Sequence, residues 1–296
     1  MIKAIIHLIR PHQWLKNVFV FLPAFFSGTI LSKESLMPSL VAFFVFCLAA
    51  SGVYCFNDIH DIESDRQHSQ KRLRPIASGA ISKTTGIGIM FLCYILSLTI
   101  IGVAPILSIS DKLIFLGIIL GYILMNIFYS IKLKQIAILD VFIIAVGFVL
   151  RLFAGGMMAH IYISHWIILM TFLLALFLAF AKRRDDMIIY ENTGIKGRSN
   201  INSYNMTFLN QTMTVVASIT LVCYILYTVS PEVCKRYHCD YMYITSFFVL
   251  AGILRYLQIT IVYVRSGSPT KVLLRDRFIQ VCIAGWILTF LYILYI

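Results

Sequence analysis

Nine apolar runs, each of a length to cross the ~30 Å hydrocarbon layer of a bilayer as a helix, leave this chain little choice of fold. They fall at roughly 17–32, 39–57, 85–105, 112–131, 136–158, 164–181, 210–230, 242–264 and 278–296. Hydrophobic residues fill 60% of the 296 positions and charged residues only 13%, and the mean hydropathy is +0.87, more than a soluble core of this size requires. The expected class is all-α, a polytopic membrane protein of about nine transmembrane helices. No low-complexity segment, linker or clear repeat interrupts the chain, so residues 1–296 read as a single domain.

Most of the 25 Lys and Arg lie in the N-terminal segment and in the connections following the second, fourth, sixth and eighth runs. By the positive-inside rule these are cytoplasmic, and the expected location is the cytoplasmic (inner) membrane with the site on that side. The net charge of +12 is mostly this topology signal, with a second role in holding anionic head groups or phosphates, and nucleic acid is not an expected partner. The segment before Pro11 has no small-residue cleavage site and reads as an interfacial amphipathic stretch. Five cysteines sit in apolar runs as small hydrophobes, while Cys234 and Cys239, in an outward loop, are left open as a disulfide or two thiols.

One acidic row follows the second run: Asn57-Asp58-Ile59-His60-Asp61-Ile62-Glu63-Ser64-Asp65. On a helix, Asn57, Asp58, Asp61 and Asp65 share an arc of about a quarter turn over roughly 12 Å, with Glu63 on the other side. Three carboxylates so placed repel one another unless cations intervene. Hard divalent ions suit such oxygens, Mg²⁺ above all, and Mg²⁺ brings substrate phosphates with it. Lys71, Arg72 and Arg74 follow at once, so acid for metal and base for phosphate share one short segment.

A second charged row, Lys182-Arg183-Arg184-Asp185-Asp186, ends the sixth run. If the helix continues, Lys182, Arg183 and Asp186 share a face suited to an anion, joined by Lys196 and Arg198 of the following loop, while Arg184 and Asp185 snorkel at the interface. The fifth run carries Asp140 and Arg151, about 16 Å apart and within about 20° of one face. An arginine so deep should meet a polar cavity and a substrate, or else Asp140 as a structural ion pair. Arg255, in the eighth run, lies within snorkelling reach of the cytoplasmic edge. Tyr129, Lys132 and Lys134 close the fourth run at the same surface.

These residues carry a resemblance. Asn-Asp-x-x-Asp-x-x-x-Asp at 57–65, with a second charged cluster after the sixth run, is similar to the UbiA superfamily of intramembrane prenyltransferases. It most resembles the branch that transfers phosphoribosyl groups to decaprenyl phosphate. The supporting rows are Arg10-Pro11-x-Gln13-Trp14-x-Lys16-Asn17, Lys71-Arg72-x-Arg74-Pro75, Tyr129 with Leu133-Lys134, Arg151 with Ala154-Gly155-Gly156, Lys182-Arg183, Thr193-Gly194, Ser203-Tyr204 and Leu274-Arg275-Asp276-Arg277. The resemblance implies helices around a cytoplasm-facing polar cavity and an enzyme that moves the phosphoribosyl group of 5-phosphoribosyl 1-diphosphate to a long-chain polyprenyl phosphate, releasing diphosphate. It implies Mg²⁺ on Asn57, Asp58, Asp61 and Asp65. The phosphates then fall to Lys16, Arg74, Lys134, Arg151, Lys182 and Arg183, with Asn17, Lys71, Arg72, Tyr129 and Arg198 also binding substrate and Asp140 and Asp186 orienting those cations or touching ribose hydroxyls. The cation-rich second cluster suits direct pairing with phosphate.

Two rivals stand beside this reading. A UbiA-type aromatic prenyltransferase would use a polyprenyl diphosphate donor, against which the cation-rich second cluster and Arg275-Asp276-Arg277 speak. A transporter of an anionic solute would use Arg151 and Arg255 along its route, yet internal repeats and paired broken helices are not visible here. Chain length of the lipid and oligomeric state, homo-oligomer included, are open.

Overall fold

The computed structural model describes residues 1–67, 71–104, 107–194, 198, 200–264 and 269–295. Lys196 lies outside the described residues. Among the described residues there are no strands, and eight helices are long and apolar enough to cross a membrane. The chain forms two compact units, Met1–Ile163 and Ser164–Ile296.

In the first unit an amphipathic helix α1 (Ile2–Ile9) precedes a 3₁₀ segment, Pro11–Phe21, and a short α2 (Leu22–Phe26). The long α3 (Lys33–His60) runs to the acidic row, where α4 (Ile62–Gln67) and a 3₁₀ turn at Lys71–Leu73 follow. Three spans complete the unit: α5 (Lys83–Val103), α6 (Ile109–Ile131) and α7 (Leu139–Met158). Ser32, Ser82 and Ser108 start α3, α5 and α6 by accepting hydrogen bonds from the amides of Ser35, Thr85 and Asp111, which satisfies donors that a helix start leaves open. Helix α3 packs on α5, α6 and α7 around Val45, Phe46, Ala49, Phe115, Ile119 and Ala154. Gly52 lets the Tyr94 ring of α5 lie directly on α3, in the space a Cβ would take.

The first expected span, 17–32, is not a continuous helix. Arg10 adopts a left-handed conformation (φ 53°, ψ 60°) and Pro11 opens the 3₁₀ turns, while Pro23 supplies no amide hydrogen at the start of α2. So long a 3₁₀ run has poor hydrogen-bond geometry and persists here through its packing against α3 and α7. Asn17 and Val20 are buried in it, and the Val20 carbonyl fills the place where Gly155 of α7 lacks a Cβ. A hydropathy run records none of these contacts.

The second unit holds α8 (His165–Thr193), α9 (Met206–Val229), α10 (Pro231–Tyr237), α11 (Thr245–Leu257), α12 (Pro269–Arg275) and α13 (Arg277–Tyr295). Helix α8 packs on α9, and α11 on α9 and α13. Phe177 meets Tyr256 edge-on at 5.4 Å between ring centroids. Helix α8 extends well past residue 181, so the second charged row lies inside a helix, and it stops at Gly194 in the left-handed conformation that glycine adopts without strain. Helix α11 widens into a π turn at Gln258–Val262. Cys234 and Cys239 are free thiols.

Candidate active site

In the first unit the acidic row straddles the junction of α3 and α4. The Asp61 amide donates to Asn57 O at 2.9 Å and the Asp65 amide to Asp61 O at 2.8 Å, so helical spacing continues through the kink and Asn57, Asp58, Asp61 and Asp65 span little more than two turns. Each carboxylate meets a cation. Arg74, just after the 3₁₀ turn, donates through Nη1 to Asp65 Oδ2 at 2.7 Å and to Asp58 Oδ1 at 3.1 Å. Arg10 donates Nη2 to the same Asp58 oxygen at 2.6 Å. Lys134, from the turn after α6, donates to Asp61 Oδ1 at 2.6 Å, and His60 Nδ1 lies 3.0 Å from that oxygen.

These surroundings tune the carboxylates in opposite senses. Burial pushes the Asp65 carboxyl up, and the charge and hydrogen bond of Arg74 only partly offset it. Burial also raises Asp61, but the bonds from Lys134 and His60 outweigh it and hold the group below its ordinary value. Asp58 is 1% exposed, and its Oδ2 atom is buried without a hydrogen-bond partner. Glu63 stands apart, its side chain 83% exposed beside Arg66.

The remaining first-unit candidates divide. Lys71 is close enough to Asp65 to act on its charge, whereas Arg72 is exposed. Tyr129 is half-buried near the end of α6. Asn17 is 1% exposed, donates Nδ2 to Cys47 Sγ at 3.2 Å and accepts Arg151 Nε at 2.7 Å. Lys16, half-buried beside it, is pulled down to about 8 by burial and by the charges of Arg151 and Arg10.

Among the described residues Arg151 forms no ion pair with Asp140. It is 5% exposed and donates to Asn17, to Gly147 O at 2.6 Å and to Tyr122 Oη at 3.0 Å. The rings of Phe46, Tyr122 and Phe148 surround its guanidinium at 4.9–5.4 Å. Among the described residues no carboxylate pairs with it. Asp140 is fully buried at the start of α7.

In the second unit Asp186 is the acceptor and cations gather on it. Arg183, fully buried, donates Nη1 to Asp186 Oδ2 at 3.2 Å, and Arg198 donates Nε to the same oxygen at 2.7 Å. Lys182 is exposed on the same helix. Arg184 and Asp185 do not snorkel: they are 4% and 9% exposed. Arg184 donates Nε to Asn210 Oδ1 of α9 at 2.7 Å and Nη1 to the carbonyl of Thr260 at 2.6 Å, one of the last carbonyls of a helix, which its own turns leave open. Arg255 likewise does not snorkel freely. It grips Asp276 with Nη2 at 2.8 Å and Nε at 3.2 Å, and Asp276 also accepts the Ile279 amide at 3.0 Å. The Arg255 hydrogen bond, followed by the capped amides, holds the Asp276 carboxyl below its usual range.

Sequence reasoning passed over Arg10 as a site residue. Its place in the row Arg10-Pro11-x-Gln13-Trp14 was visible, but its partner Asp58 lies 48 residues away.

Among the described residues no three His, Cys, Asp or Glu side chains are gathered as a metal cage. Mg²⁺ does not ask for one, since it is held by one or two carboxylates together with substrate phosphates. The unpartnered Asp58 Oδ2 and the oxygens of Asn57, Asp61 and Asp65 are a donor set of that kind.

Comparison with known proteins shows what the chain as a whole is similar to. The decaprenyl-phosphate phosphoribosyltransferase of Mycolicibacterium smegmatis is 32% identical over 97% of this chain and 91% of its own length. The protein of the same name from Corynebacterium glutamicum is 31% identical over 100% and 87%. The solved structure of a UbiA homolog from Archaeoglobus fulgidus bound to DMAPP and Mg²⁺ superposes with a TM-score of 0.70 at 18% identity, covering 99% of both chains, a likeness of fold. The model of the UbiA prenyltransferase family matches residues 20–280. The chain is a multi-pass membrane transferase and belongs to the UbiA prenyltransferase family.

Proposed function

We propose that this protein transfers the phosphoribosyl group of 5-phosphoribosyl 1-diphosphate to a long-chain polyprenyl phosphate and releases diphosphate. The observation that carries the reading is the second cluster, where a single carboxylate, Asp186, is met by Arg183 and Arg198 with Lys182 close by on the same helix. Two acidic clusters would suit two metal sites, whereas one acidic and one basic cluster suit a metal-assisted leaving group and a directly paired phosphate. The names of the full-length relatives point the same way.

Asn57, Asp58, Asp61 and Asp65 would hold Mg²⁺, which when bound neutralises the charge that collects on the leaving diphosphate. Arg74 and Lys134 fix the carboxylates in place, and Lys71 adds positive potential beside Asp65. Lys16, Lys182, Arg183 and Arg198 are assigned to the substrate phosphates. Arg151 works at one remove, holding Asn17 and adding its charge beside Lys16. The attacking atom is a phosphate oxygen, already anionic at neutral pH, so the chain needs no strong general base. The positive-inside pattern supports placing this chemistry on the cytoplasmic face of the membrane.

The test is to incubate purified protein with labelled 5-phosphoribosyl 1-diphosphate, polyprenyl phosphate and Mg²⁺ and to extract the lipid. Label in the organic phase is the expected result. Label that stays aqueous, with turnover instead of a polyprenyl diphosphate and an aromatic acceptor, would overturn it.

A further inference from the structure

A cleft of about 180 Å³ opens in the first unit between the end of α1 and the acidic row, lined by His7, Arg10, His12, Asp58, Arg74 and Pro75. Its rim is cationic or donor-bearing and faces water, since His7 and His12 are exposed. Its floor is the buried Asp58, with one oxygen occupied by Arg10 and Arg74 and the other without a partner. Arg10 gives Asp58 only Nη2 and Arg74 only Nη1. Among the described residues their other N–H groups make no hydrogen bond to protein, so both guanidinium groups keep donors for a ligand.

The backbone is bent to build this rim. Arg10 sits at φ 53° and ψ 60°, a conformation unusual for a side-chain-bearing residue, and the following Pro11 disfavours helical geometry before it. Strain of this kind persists where surroundings over-determine it and gathers at binding sites. Here the bend is fixed on one side by Leu8, fully buried against Cys55, Ile76 and Ile81, and on the other by the Arg10 bond to Asp58 and the stacking of Arg10 over Tyr54 at 5.1 Å.

We propose that His7, Arg10 and His12 form, with Arg74, a phosphate subsite that takes a phosphate of the water-soluble donor and not that of the lipid. The inference rests on the phosphoribosyl-transfer reading above and deepens it. Guanidinium and imidazole donors around an opening of this size match the several acceptor oxygens of a phosphate, and a rim exposed to water admits a soluble substrate directly.

Binding is measured on the full-length protein in detergent without added metal, by titration with ribose 5-phosphate, with inorganic diphosphate and with a polyprenyl phosphate. The double variant His7→Gln with His12→Gln carries the test, because neither residue braces Asp58. It should bind at least one of the two soluble probes about tenfold more weakly, and the affected probe identifies which end of the donor the cleft holds. Its affinity for the lipid should match that of the unaltered protein. Arg10→Gln, accompanied by a melting curve, should show the same selectivity. Unchanged affinity for both soluble probes, or weakening confined to the lipid, would overturn the proposal. Failure of the transfer reading would instead show as absence of organic-phase label with the unaltered protein, whatever the binding titrations give.

Discussion

Arg151 donates its Nε proton to Oδ1 of Asn17 at 2.7 Å, joining residues 134 positions apart in the first unit. A buried guanidinium whose hydrogen-bond partners are a neutral amide, a carbonyl and a phenol keeps its charge largely uncompensated, and that charge adds to burial in holding Lys16 below its ordinary value. Arg151→Lys should keep the charge but lose the planar fork. Catalytic efficiency, kcat/KM, should fall at least about tenfold in a transfer assay. Since among the described residues the Arg151 donors go to Asn17, Gly147 and Tyr122 and none to Asp140, Arg151→Leu combined with Asp140→Leu should be no more stable in a melting assay than Arg151→Leu alone.

Lys16 gives a pH signature. Its ammonium form, which pairs with phosphate, persists in the free protein only below about pH 8. The sign follows from the lowered value: as pH rises through it the charge is lost, and kcat/KM, which reports free-enzyme groups, should fall. Lys16→Arg should move that alkaline limb out of range. An identical limb in the arginine variant would remove Lys16 from phosphate binding.

Asp58→Asn and Asp61→Asn should each cut turnover by about 100-fold or more if they hold the metal, whereas Glu63→Gln, exposed and apart, should stay within about twofold. Chelation with EDTA should stop the unaltered protein and added Mg²⁺ should restart it. Equal losses at the three positions would count against the placement of the metal on one face.

Lys182→Ala should raise one substrate's KM about tenfold or more, through loss of a charge-assisted bond, with no change in melting temperature. Arg184→Ala should behave in the opposite way. It leaves Asn210 and the Thr260 carbonyl without their donor and should destabilise the protein by about 2–4 kcal/mol, lowering the melting temperature while leaving KM for both substrates near its normal value.

That contrast shows where the sequence was readable. Spans α3, α5, α6, α7, α8 and α9 could be found because length and hydropathy are local properties. The face shared by Asn57, Asp58, Asp61 and Asp65 was legible because it follows from helical spacing, which the backbone bonds carry through the kink at Asp61. Arg184 was misread as a snorkelling residue because its partners are uncharged and lie 26 and 76 residues away, so no charge pattern announces them. The same holds for the 3₁₀ segment Pro11–Phe21: hydropathy sees an apolar run, while its conformation is decided by what α3 and α7 offer it.

The bare Cα of Gly155 against the Val20 carbonyl makes the N-terminal arm a fixed wall and not a swinging strap. With no side chain between them, arm and helix share one register, set to within an atom's width. Any slide of the segment bearing Lys16 and Asn17 would have to drag α7 along with it. Substrate must then enter a frame that is already assembled on this side, and whatever yields to admit a long lipid must be sought in other parts of the molecule.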